Sequence, residues 1–115
     1  MEEVLKNAND FAQSKNIEFL VLIQPSVIDL TKENYHLNYE YLQKYPNYQR
    51  TNLTNAVEKI CVSHKINYIN LFDIFKNNNP DTLYFRGDTH WNDKGQDIAA
   101  QETASFVLNR YMLTD

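Results

Sequence analysis

The sequence predicts an α/β fold with a short parallel sheet flanked by helices, and three observations carry the prediction. Helix-like and strand-like segments alternate along the chain, the order that gives parallel strands joined by crossover helices. Phe19-Leu-Val-Leu-Ile23 is an unbroken apolar run, which predicts burial on both faces, as in a parallel sheet. Three longer segments carry apolar residues at helical spacing. Only two strands are convincing, and open sheets usually hold about four to six. The reading is therefore a three-layer, flavodoxin-like arrangement that is partial: one incomplete domain over residues 1–115.

The elements follow in order. Residues 2–15 form a helix, with Val4, Leu5, Ala8, Phe11 and Ala12 on one face. Lys15 and Asn16 close it, the cation suiting the helix dipole and the Asn suiting a left-handed cap. Ile17–Gln24 is the best strand, ended by Pro25. Ser26-Val-Ile-Asp29 resembles a capping box for a short turn. Residues 31–48 read as a long, irregular, tyrosine-rich loop (Tyr35, Tyr39, Tyr41, Tyr45, Tyr48), the kind that serves binding or packs on a partner. A second helix spans about 48–64, with Leu53, Ala56, Val57, Ile60 and Cys61 inward. Ile66–Leu71 is the second strand, and Phe72–Lys76 a helical turn. Asn77-Asn-Asn-Pro-Asp81 is a turn cluster. The last helix runs from Asn92 or Asp93 to Tyr111, with Asn92 as N-cap and Ala100, Ala104, Val107 and Tyr111 as its inner stripe. Gly95 in its first turn costs up to about 1 kcal/mol against Ala, so close packing is expected there.

Composition narrows the classes of function. The 115 residues carry a net charge of −4 with no basic stripe, which gives nucleic-acid binding no support. Cys61 stands alone, so neither an intrachain disulfide nor a cysteine zinc site is implied. The first residues are acidic, and no run of about 18 apolar residues occurs. As written the chain reads as cytoplasmic, without a membrane partner, an expectation that lapses if it is part of a longer exported protein. The Asn52-Leu-Thr54 sequon falls on a helix and reads as chance. No cofactor is implied.

One stretch concentrates the unusual residues. Tyr84-Phe-Arg-Gly-Asp-Thr-His-Trp-Asn-Asp-Lys-Gly95 holds both glycines and the only tryptophan. In extended backbone, Asp88 and His90 point to the same side. The carboxylate can hold one ring nitrogen and leave the other free as a base, which is half of a Ser-His-Asp triad. Trp91 reads as a packing residue that fixes this loop.

With these residues in place, the chain resembles the C-terminal half of an SGNH (GDSL-type) hydrolase domain. The specific part is Leu83-Tyr-Phe-Arg-Gly-Asp-Thr-His-Trp-Asn-Asp-Lys-Gly-Gln-Asp-Ile-Ala-Ala100. Asp-x-His-Trp, a glycine five residues after the histidine and a small-residue helix most resemble the relatives that act as polysaccharide O-acetyltransferases. The resemblance implies a catalytic pair, His90 as general base and Asp88 orienting it, and an acyl ester or carbohydrate substrate. The family's nucleophilic Ser, and the Gly and Asn of its oxyanion hole, come from other blocks, none of which is recognisable here. Many members have Asp-x-x-His, whereas one residue intervenes here, a spacing the acyltransferase-like branch shares.

The remaining candidates have plainer readings. Of the four serines (Ser14, Ser26, Ser63, Ser105), only Ser26 sits at the C-terminal edge of a strand, where α/β sites form, and it reads as a cap. Cys61 reads as core and His64 as a helix-end residue. His36 lies in the polar loop without an evident role. Gly87-Asp-Thr-His90 superficially matches the start of a binuclear metallophosphoesterase site, but the further ligands are missing, so no metal is assigned. Two functions compete: part of an esterase or O-acyltransferase, inactive alone, or a non-catalytic interaction protein. Either way, two strands leave uncovered edges, and a homo-oligomer, most simply a dimer, is expected.

Overall fold

A computed structural model of the protein describes residues 1–31 and 36–112, with the backbone alone for 36–39. The elements are α1 (Glu2–Ser14), β1 (Leu20–Ile23), α2 (Val27–Leu30), α3 (His36–Lys44), α4 (Asn52–Ser63), β2 (Asn67–Asn70), α5 (Phe72–Asn77), a 3-10 turn (Pro80–Thr82) and α6 (Asp93–Tyr111). The α/β reading holds. β1 and β2 pair in parallel, Leu20 with Asn67 through Ile23 with Asn70.

The two helix-to-strand joints share one device. Asn16 and Lys65 both take positive φ, 56° and 54°. After each turn the next amide reaches back to the helix, Ile17 N–H to the Ala12 carbonyl at 2.9 Å and Ile66 N–H to that of Cys61 at 2.8 Å. These bonds satisfy carbonyls left open at a helix C-terminus, and the apolar residue that follows is the usual companion of such a cap. The Asn16 cap was legible; Lys65, a costlier left-handed residue, was not.

Period-two alternation assigns the layers. Tyr68 Oη and Asn70 Nδ2 both donate to the Glu58 carboxylate of α4, at 3.0 and 2.6 Å, so α4 covers that face. Leu22 and Ile69 are register partners on the opposite face, and Leu22 lines a groove with α6. α1 lies on the α4 side, tied to it by the His64 Nε2 to Glu2 Oε1 contact at 2.8 Å. The core sits toward the C-terminal ends of the strands, where Val27, Leu30, Leu71, Phe72, Phe75, Leu83, Tyr84 and Ala99 cluster.

Four expectations are corrected. The long loop contains a helix, α3, although its residues 32–35, including Tyr35, lie outside the described residues. At the C-terminal end of α3 the Tyr41 and Tyr45 rings, four residues apart, lie 4.7 Å from one another. β1 is not buried on both faces: Ile23 is buried and Leu22 is 36% exposed, because only one face has a closely packed helix. α1 turns Asn9 and Ala12 inward and leaves Val4 and Phe11 in water. α6 is likewise rotated, with Gly95 and Ala99 buried while Ala100, Ala104, Val107 and Tyr111 stay exposed.

Candidate active site

The loop that follows the 3-10 turn is held from three sides before its chemistry begins. Buried Tyr84 donates its hydroxyl to the Pro25 carbonyl at 2.9 Å, fixing the loop to the end of β1. The Tyr84 ring meets Phe75 edge-on, and the Trp91 ring lies 6.0 Å from Phe75. Tyr84 and Trp91 form an antiparallel bridge. Phe85 N–H donates to the His90 carbonyl and Asn92 N–H to the Leu83 carbonyl, at 3.0 and 2.8 Å. Four residues, 86–89, are thereby looped out between Phe85 and His90, and the turn at their tip uses Gly87 at φ 75°. That conformation suits a residue without Cβ.

Asn92 does two jobs at the root. Its Oδ1 accepts the amides of Lys94 and Gly95, at 3.0 and 3.3 Å, capping α6 as the sequence predicts. Its Nδ2 donates to the carbonyls of Thr82 and Tyr84, at 2.8 and 3.2 Å. One side chain locks helix and loop together. Gly95 is required by contact: a Cβ there would lie 2.7 Å from the Leu83 carbonyl oxygen and 2.9 Å from Trp91 Cβ. Close packing at Gly95 and a packing role for Trp91 are thus both observed.

At the tip, Asp88 Oδ1 lies 2.5 Å from His90 Nδ1 and also accepts the His90 backbone amide at 3.0 Å. The imidazole contact, then the backbone bond, hold the Asp88 carboxyl below the usual carboxylate range. An ionised carboxylate beside Nδ1 favours the tautomer with the proton on Nδ1, which leaves the Nε2 lone pair available. Both side chains face solvent, His90 at 79% and Asp88 at 50% exposure. No hydrogen bond joins His90 to a serine among the described residues. The Ser26 hydroxyl accepts the Ile28 amide at 3.3 Å, and Asp29 accepts the Ser26 amide at 3.1 Å, completing the capping box. Ser14 and Ser63 bond back to their own helices.

Sequence reasoning missed one polar cluster. Asp29 is 2% exposed, and besides capping α2 it accepts the Tyr48 hydroxyl at 2.5 Å. Burial raises the Asp29 carboxyl above its ordinary range, opposed by the Tyr48 and Ser26 hydrogen bonds. Arg50 beside it donates to the Thr31 carbonyl at 3.3 Å. Spacing gives no warning of a bond across 19 residues. Among the described residues no three His, Cys, Asp or Glu side chains gather as metal ligands, and no helix is long and apolar enough to cross a membrane.

No curated protein and no solved structure shows significant similarity to the chain. A family model does: it is described as "SGNH hydrolase-like domain, acetyltransferase AlgX", and it matches residues 1–114. That match takes in nearly every residue, the Asp-x-His-Trp loop among them, and the chain belongs to this SGNH hydrolase-like family.

Proposed function

We propose that this chain carries the Asp–His half of a Ser-His-Asp site for acyl transfer, in an O-acyltransferase or esterase, and that it is inactive alone. The observation that carries the reading is the Asp88–His90 contact on a loop tied at its root by Tyr84 and Asn92, with the His90 ring exposed to solvent. In the reaction, Nε2 takes the proton of a serine hydroxyl as its oxygen attacks the acyl carbonyl. Asp88 stays ionised, holds the imidazolium and keeps the ring oriented. His90 then gives the proton to the departing oxygen, leaving an acyl-serine. A hydroxyl acceptor, or water in an esterase, then attacks that acyl group while giving its proton to Nε2, and the imidazolium returns this proton to the departing serine oxygen, which frees the ester or acid and restores the serine. The serine and the donors for the tetrahedral oxyanion must come from outside these 115 residues, because acyl transfer needs both beside the base.

The purified chain should hydrolyse p-nitrophenyl acetate no faster than its His90→Ala variant. A His90-dependent rate that is also lost in Ser26→Ala would overturn the inactivity and make Ser26 the nucleophile. Long-range ¹H–¹⁵N NMR tests the geometry itself. Neutral His90 should carry its proton on Nδ1, and a proton on Nε2 would remove the base from this scheme.

A second reading is a non-catalytic, self-associating protein. It is favoured by the apolar groove between Leu22 and α6, which no described element covers.

A further inference from the structure

The sheet has a concave site at the end opposite the Asp-x-His loop. Here α1, the two left-handed joints and the starts of β1 and β2 enclose a cavity of about 320 Å³. Asn9 is the buried residue of its lining. Asn9 is 7% exposed, and its carboxamide makes no hydrogen bond with any described residue. A buried amide without a partner is costly, so it is normally met by water or by a ligand.

The surrounding groups say what kind of ligand fits. Gln13, Asn16 and Asn67 line the same cavity, and their side chains also make no hydrogen bond with described residues. Each of these four carboxamides offers two N–H donors and one carbonyl acceptor. An anion would use only the donors, and a cation only the acceptors. A hydroxyl donates and accepts at once, and adjacent hydroxyls match adjacent amides. Phe19 adds an apolar wall for the C–H face of a ring. Of the charged groups in the lining, Arg110 Nε and Glu18 Oε2 pair at 2.6 Å, and Lys65, without an ion pair among the described residues, sits exposed at the rim and can add one further donor to a hydroxyl. The volume lies at the small end of ligand sites.

We propose that this cavity, built around the buried Asn9 carboxamide, binds a sugar unit through its ring hydroxyls. It is separate from the dyad. Phe19 and Pro25 span six residues of extended chain, roughly 20 Å at about 3.3 Å each. The inference therefore stands whatever His90 does.

The test is a ¹H–¹⁵N titration of the full chain with D-glucose, with tetrahydropyran as the ring that lacks hydroxyls. Glucose should shift the side-chain amide signals of Asn9 and Asn67 saturably at millimolar concentration, and tetrahydropyran should not. Gln13→Ala, at an exposed helix position, should weaken glucose binding about fivefold, the worth of one neutral hydrogen bond. Asn9→Ala should abolish binding and leave the urea midpoint unchanged or raised, since it removes a buried amide that has no hydrogen-bond partner among the described residues. No saturable glucose response would overturn the proposal. So would equal responses in wild type and both variants, equal shifts with tetrahydropyran, or a lowered midpoint in Asn9→Ala, which would make the amide structural.

Discussion

At the residue scale, two carboxylates in this chain are treated in opposite ways. Asp88 is exposed, and its contact with His90 lowers its pKa. A depressed carboxyl pKa means that the contact is present above the ordinary carboxylate range and is lost as pH falls through the lowered value. Asp29 is buried and its pKa is raised, desolvation being the largest cause. For a raised carboxyl the sign reverses: the charged form is penalised in the folded state, and protonation relieves the penalty as pH falls. Tyr48 is the side-chain donor that offsets it. Tyr48→Phe should therefore destabilise the chain by about 1–3 kcal/mol near neutral pH, the cost of stripping a partner from a buried polar group. The same change raises the Asp29 pKa further. Urea unfolding should show the deficit shrinking as pH is lowered through that raised range. A deficit that stays constant or grows toward acid would show that Asp29 is not the group responsible.

At the element scale, the loop and α6 act as one unit whose joint is Gly95. Gly95→Ala places a methyl 2.7 Å from a backbone oxygen, which cannot swing aside as a side-chain tip can. It should cost about 1–3 kcal/mol in urea unfolding, as overpacking does, although alanine is the better helix former. Asn92→Ala removes the cap and both carbonyl bonds, and should cost about 1–2 kcal/mol or more. If either variant matched wild type, the loop would not depend on this joint. The same joint explains how much of the molecule was legible in the sequence. The element order, the Asp88–His90 pair, the Asn92 cap and the tight site at Gly95 follow from local rules of turn, cap and alternation. The rotation of α6 does not. Two apolar lines run along this helix, a small one through Gly95 and Ala99 and a larger one through Ala100, Ala104 and Val107. Periodicity favours the larger, yet the contact under Trp91 admits only the smaller. α3 was missed for a related reason: its sequence, His36–Lys44, is mostly polar and tyrosine, and a search for an aliphatic stripe passes over a contact such as the Tyr41–Tyr45 ring pair at its end.

At the scale of the whole molecule, too much surface is left open. The chain exposes 8228 Å², whereas a compact monomer of 13.6 kDa exposes about 6,600 Å². Its radius of gyration is 16.1 Å, against about 13 Å for a compact domain of this length. The excess area is about 1,600 Å², more than the roughly 800 Å² that each partner buries in a standard interface. Two open features lie among the described residues. β1 has one strand neighbour among the described residues, so its other edge presents unpaired amides and carbonyls. Leu22, Trp91, Ala100, Ala104, Val107 and Leu108 line the groove of about 620 Å³ between β1 and α6. A strand edge calls for another strand, and an apolar groove calls for apolar side chains. The Leu20–Ile23 strand of a second copy meets both demands, because a two-fold axis beside β1 would pair it antiparallel with itself and bring the two grooves together. The purified chain should therefore sediment as a dimer or larger at micromolar concentration. Leu22→Lys and Val107→Glu, at positions already 36% and 43% exposed in one copy, should leave the circular dichroism unchanged and shift the chain toward monomer. A wild-type chain that sediments as a compact 13.6 kDa monomer would rule out the second copy and assign this face to another segment, including one that brings the missing serine to His90.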